Sequence, residues 1–222
     1  MAAKSTKGIN VYLSDGTDPT TLVPTAITKA DPAVVSVTDV SALTVGDPVT
    51  VVKTGFAEID GKTYVVGNID TTGNTFELIG SDTSASTGSL ASSPEIDVYL
   101  AADSVKLCLS ELTFNPETPG TIAVGTFCDP SATLPATATG AGTATLSGFV
   151  DVSDPGYTAL LDAEEDGKTR MLSMVLPQDQ GYIVAPITIS AVTWATPLEG
   201  GIGFTATGAL GSKPVHRYIP AP

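Results

Sequence analysis

An all-β fold, a sandwich or barrel with one short helix and a small inserted β-barrel-like module, is what this sequence predicts, and three observations predict it. Its 222 residues include 22 Gly and 16 Pro with few aromatics, the composition of short strands divided by frequent turns. Alternating apolar and polar runs of strand length recur along most of the chain. A single stretch, Pro155–Asp166, carries helix start and stop signals. At 42% hydrophobic residues the chain can bury a real core, as one large β domain or two small ones.

In chain order, residues 9–13 (Ile-Asn-Val-Tyr-Leu) alternate as a half-buried strand should, behind a polar arm and ahead of a turn cluster at Ser14–Thr20. The charge then shifts. Residues 1–31 hold three acids and three bases, whereas 32–103 hold ten acids and two bases, which marks a composition boundary. Within 32–103, Val34–Val37, Pro48–Lys53, Thr63–Gly67 and Thr75–Ile79 read as strands, with Asp60-Gly61 as a tight hairpin signal. Gly80–Glu95 has six Ser, two Thr and little apolar bulk, so by composition it is a flexible linker.

Ile96–Leu100, Lys106–Phe114 and Thr121–Cys128 continue as strands, and the small-residue stretch Ala132–Gly142 reads as a long loop. Leu146–Asp151 and Arg170–Leu176 are strands on either side of the helix. Asp154 can cap its N-terminus, Pro155 suits the first helical position, and Gly167 can end it in the left-handed conformation. Tyr157, Leu160 and Leu161 form one apolar stripe, while Asp162, Glu164, Glu165 and Asp166 mostly face out, with Lys168 and Arg170 placed to offset acids at the C-terminal end. Two alternating runs follow, Tyr182–Trp194 and Gly203–Leu210.

A formal charge of −14 excludes a protein that grips a nucleic-acid duplex, because phosphate neutralisation needs clustered cations. No apolar window approaches the roughly 20 residues of a membrane helix. The N-terminus lacks the apolar core of a secretion signal, so the chain is expected to stay inside the cell that makes it until assembly. Cys108 and Cys128 read as two small buried hydrophobes rather than a disulfide, and with His216 far away they make a poor zinc site.

Gly55–Thr63 superficially resembles a phosphate-binding loop, but five residues separate Gly55 from Gly61-Lys62-Thr63 and no helix follows, so a β-hairpin is the better reading. His216 stands in a polar tail without a marked nucleophile elsewhere. Trp194 ends a strand and is expected in the core or at a subunit interface. No catalytic, metal or cofactor residue is put forward, and no enzymatic activity is expected.

Taken in order, Lys7–Leu13, then Asp15–Thr21 (Asp-Gly-Thr-Asp-Pro-Thr-Thr), Cys128-Asp129, and above all Leu-Ser-Gly-Phe-Val-Asp, Asp154-Pro-Gly-Tyr-Thr-Ala-Leu-Leu, Asp166-Gly-Lys-Thr-Arg and Leu176-Pro resemble the major tail tube protein of long-tailed, siphovirus-type bacteriophages. The resemblance covers most of residues 1–30 and 104–222. It implies a discontinuous tail-tube domain, 1–31 and 104–222, with 32–103 inserted as a small β module on the outer surface. The insertion departs from the minimal family plan, and its sequence is similar to a small β-barrel unit of several phage virion proteins. Closing an inserted loop costs little because the entropy grows slowly with length.

The resemblance further implies hexameric rings stacked into the tail tube, made in the host cytoplasm and carried in the virion, through which double-stranded DNA passes during ejection. The expected partners are other copies of the chain and the tail-tip, tape-measure and terminator proteins, with no membrane and no cofactor. If each subunit gives four strands to a common barrel, about 24 strands at about 4.8 Å, tilted about 40°, make a backbone diameter of roughly 45 to 50 Å. A wall with few cations would let DNA slide. The two polar ends, with Lys4 and Lys7 in one and Lys213, His216, Arg217 and Tyr218 in the other, are candidate inter-subunit arms. The competing expectation is a surface β module that binds carbohydrate.

Overall fold

A computed structural model of the chain describes residues 9–115, 121–123, 133–135, 142–177, 181–196 and 201–218. The first strands are β1 (Asn10–Ser14), β2 (Thr20–Leu22), β3 (Ala26–Ile27) and β4 (Ala33–Ser36). They are followed by β5 (Pro48–Lys53), β6 (Thr63–Asp70), β7 (Thr75–Ile79) and β8 (Glu95–Val98). Next come β9 (Ser104–Leu107), β10 (Glu111–Asn115), β11 (Thr121–Ala123), β12 (Thr133–Pro135) and β13 (Thr143–Phe149). Helix α1 (Pro155–Asp166) precedes β14 (Thr169–Val175), β15 (Tyr182–Ala195), β16 (Gly203–Leu210) and β17 (Val215–Arg217).

Two antiparallel sheets carry the fold. The first has the order β10-β13-β16-β15-β14-β1-β9, with β17 also paired to β15. The second, β2-β8-β5-β6-β7-β4-β3, is made wholly of residues between β1 and β9, so the chain leaves the first sheet after Ser14 and re-enters it at Ser104. β11 and β12 form a separate pair.

The alternation of β1 places Val11 and Leu13 inward, and Leu13 lies opposite Leu172 of β14. They join Leu146, Ile187, Ala206 and Phe204 in one core, closed on one side by Tyr157, Leu160 and Ala163 of α1. Burial of an amphipathic face is what holds so short a helix, since twelve residues alone are marginal in water. Its ends follow the sequence reading: the Asp154 carboxylate accepts the Gly156 N–H at 3.2 Å, and Gly167 takes φ +61°. Among the four acids of α1, Glu164 turns inward and accepts the Val192 N–H at 3.0 Å, just past the irregularity between Ile189 and Ala191 where β15 shifts register against β16. The second sheet has its own core around Val35, Val49, Phe56, Ile59, Phe76, Leu78 and Ile96.

Several expectations are corrected. Gly80–Glu95 is no flexible linker: Ser81, Thr83 and Ser86 are buried. The Ser81 hydroxyl accepts the Ala33 N–H at 2.9 Å, Thr83 donates to the Thr28 carbonyl at 2.8 Å, and Ser86 donates to Glu58 at 2.8 Å. Small hydroxyl side chains here bind two backbone groups and one carboxylate, each at least 28 residues away. Glu95 itself belongs to β8.

Lys106–Phe114 is not one strand. It breaks at residues 108–110, where the chain crosses from β9 at one end of the first sheet to β10 at the other, and this leaves Cys108 exposed instead of buried. Cys128, most of Thr121–Cys128 and most of Ala132–Gly142 lie outside the described residues, although β12 falls within the latter stretch. The Asp60-Gly61 signal marks a true β5–β6 hairpin, but its loop spans residues 54–62. The Asp60 carboxylate ties that loop by accepting the N–H groups of Thr54 and Gly55. β2 and β3, which precede residue 32, pair within the second sheet, so that sheet begins at Thr20.

Candidate functional site

The first sheet ends in two strands, β9 and β10, whose outer sides pair with no other strand among the described residues. Such edges offer rows of N–H and C=O groups to another chain. Between them opens a hollow of about 370 Å³ lined by Ile9, Val11, Leu107, Leu112 and Met174, so the two edges face each other across the mouth of the first core.

One end of the same sheet is apolar and exposed. Phe149 closes β13 at 68% exposure, Ile202 precedes β16 at 48%, Val152 is 82% exposed and Trp194 is 55% exposed. The Trp194 indole donates to the Tyr157 hydroxyl at 2.7 Å, so the ring is held at the rim and, of the two expected places, core or subunit interface, the core is excluded. Neighbouring Asp151 is held below the usual carboxylate range by the Ser153 hydroxyl, at 2.6 Å, and by the Ser153 N–H, at 2.9 Å.

The two sheets meet along a junction that the sequence did not reveal. Val65 of β6 packs with Met171 and Val184 of the first sheet, flanked by Tyr99, Tyr182 and Val215. On one flank lies a cleft of about 240 Å³ lined by Tyr12, Asp47, Pro48, Ala101 and Tyr182, among others. The buried Asp47 carboxylate accepts the N–H groups of Thr44 at 2.7 Å and Ala101 at 3.0 Å. Burial pushes its pKa above the ordinary carboxylate value, and those two amides pull it back only in part.

On the other flank the Arg217 guanidinium lies over the Tyr64 ring, 5.1 Å from its centroid. Burial lowers the arginine's pKa and raises the tyrosine's, and the charge of Arg217 partly offsets the latter. Of the candidate arm residues, Arg217 thus sits inside a contact of its own chain, whereas Lys213, His216 and Tyr218 are exposed and Lys4 and Lys7 lie outside the described residues.

Arg170 is buried too. It donates to the Ser14 carbonyl at 3.2 Å and to Asp166 at 2.6 Å, so the last turn of α1 is tied to the exit of β1. Asp166 is held below the usual range, first by the Lys168 N–H and also by the Arg170 charge. Among the described residues, no group of three or more His, Cys, Asp or Glu converges to hold a metal ion, and no helix is long and apolar enough to cross a membrane.

No family model and no curated protein matches the chain. Among solved structures, a chain of the SPP1 tail tube, determined by solid-state NMR and cryo-electron microscopy, is similar at a TM-score of 0.34 and 12% identity. The similarity covers 49% of this chain and 67% of that one.

Proposed function

We propose that this chain is a structural subunit of a phage tail tube, assembling as hexameric rings that stack into a conduit for double-stranded DNA, and that it has no enzymatic activity. The observation that carries the reading is the unit β13–α1–β14. The residues that resemble the tail tube family form a strand, a capped acidic helix and a strand, both strands lying in an antiparallel sheet whose two end strands have no outer strand partner among the described residues. Edge-to-edge pairing of such sheets around a ring would turn an aggregation hazard into the assembly contact. The second sheet leaves and rejoins the first at Ser14 and Ser104, adjacent positions paired across β1 and β9, which suits an insertion carried on the outside of a tube.

A carbohydrate-binding role is the second reading, favoured by the exposed Trp194 ring, which could stack on a sugar face. Sedimentation of the purified chain at rising concentration separates the two. The conduit reading predicts particles of at least six times the 22.5 kDa subunit mass. A chain that stays monomeric at high concentration, also with tail-tip complex added, and is retained on a glycan column would overturn it.

A further inference from the structure

Three glycines outside the first sheet each receive one long side chain from it. Gly16 seats the Arg170 guanidinium, Gly46 seats the Tyr182 ring and Gly80 seats the Arg217 side chain. All three have positive φ, +92°, +103° and +78° respectively. A Cβ at Gly46 would stand 2.7 Å from the Tyr182 ring, and one at Gly80 would stand 2.8 Å from Arg217 Cδ. Here glycine is required twice over, for the backbone conformation and for the close approach.

Arg217 is carried by β17, which pairs antiparallel to β15 through Tyr182↔Arg217, Ile183↔His216 and Val184↔Val215. Gly181, at φ +98°, lies so close to the Arg217 carbonyl that no side chain fits between them. Val215 packs with Val65, Met171 and Val184 across the junction. Arg217 then reaches over Gly80 to lie on Tyr64 of β6. Its Nε is buried without a hydrogen-bond partner, and the ring face meets the half-buried cation.

We infer that β17 is an intramolecular latch: the segment 215–217 locks the second sheet onto the first, so that the inserted module is a fixed projection of the subunit and not a domain on a hinge. The latch spans the two sheets from the C-terminal side, while Arg170 on Gly16 fixes the N-terminal connection at Ser14. The two covalent crossings between the sheets, residues 15–19 and 99–103, are therefore backed by non-covalent contacts on both flanks. This inference does not depend on tube assembly, because every contact in it lies within one chain. It assigns the C-terminal tail up to Arg217 a role other than a free strap between subunits.

The experiment is limited proteolysis of the full chain, with cleavage in the two crossings located by mass spectrometry, and with hydrogen exchange of the 215–217 amides followed in the unmodified protein. A latch predicts protected amides at a rate independent of protein concentration. It also predicts cleavage of the crossings that rises roughly three- to tenfold in both Arg217→Ala and Tyr64→Leu, and by no further factor in the double variant. Removing residues 215–222 should expose the crossings fully and split thermal unfolding into two transitions. Unprotected 215–217 amides, or protection that appears only as concentration rises, would overturn the inference without any variant having to fold. So would crossings that resist cleavage equally with and without the latch. Protection that rises with concentration would instead make the tail a strap between copies, whereas the other overturning results say nothing about whether the chain forms rings.

Discussion

At the scale of single residues, the fold depends on a few side chains whose neighbours are distant in sequence. Leu160, on α1, is 1% exposed and sits in the first core. Leu160→Ala should cost about 2 to 5 kcal/mol, read as a lowered denaturant midpoint with an unchanged slope. Asp47 makes a pH-dependent contribution whose sign follows from burial. Its folded pKa is raised, so its stabilising effect is fully present below the unfolded carboxylate pKa and is lost as pH rises through the folded value. Asp39, Asp82, Asp151 and Asp166 are lowered and act in the opposite sense: their stabilising effect is fully present above the unfolded carboxylate pKa and is lost as pH falls through the lowered folded value. The difference between the protein and its Asp47→Asn variant isolates the first group. In urea titrations from acid to neutral pH, the variant's stability relative to the parent should improve as pH rises, and a constant difference would contradict the assignment.

At the scale of elements, legibility in the sequence tracked the range of the interactions. The helix was fully legible, because Asp154, Pro155 and Gly167 act on the backbone within a turn of themselves. Strands β5 and β7 matched residue for residue, since their alternation and flanking turns are local. What failed was long-range. The Gly80–Glu95 serines and threonines read as a linker because composition does not say which carbonyl 50 or more residues away a hydroxyl will meet, as Thr83 meets Thr28. Cys108 looked buried because a break between β9 and β10 is set by the two edges they join, not by the residues between them. The junction of Tyr64, Tyr182, Gly46, Gly80 and Arg217 left only turn glycines as its trace. Capping can be tested separately from packing: Asp154→Ala should cost about 1 kcal/mol, well below Leu160→Ala, in the same denaturant assay.

At the scale of the molecule, charge and edges set the terms of assembly. Copies of a chain of net charge −14 repel one another, while under the proposed assembly the outer sides of β9 and β10, without a strand partner among the described residues, and the exposed Phe149, Val152 and Ile202 would supply the contacts between them. Assembly should therefore rise with ionic strength, as salt screens repulsion over a Debye length of about 10 Å at 0.1 M and about 3 Å at 1 M. Light scattering across that range reads the effect directly, and assembly that dissolves as salt is added would point to ion pairs between subunits instead. With the inserted sheet latched to the first, each ring would carry its projections at fixed angles.

The central claim, a ring-forming conduit subunit, is tested most directly by electron microscopy of the purified chain. The account predicts six-fold rings or tubes with a central pore set by a barrel of roughly 45 to 50 Å backbone diameter. Monomers alone at high concentration, with and without added tail-tip complex, or assemblies lacking a pore, would contradict it.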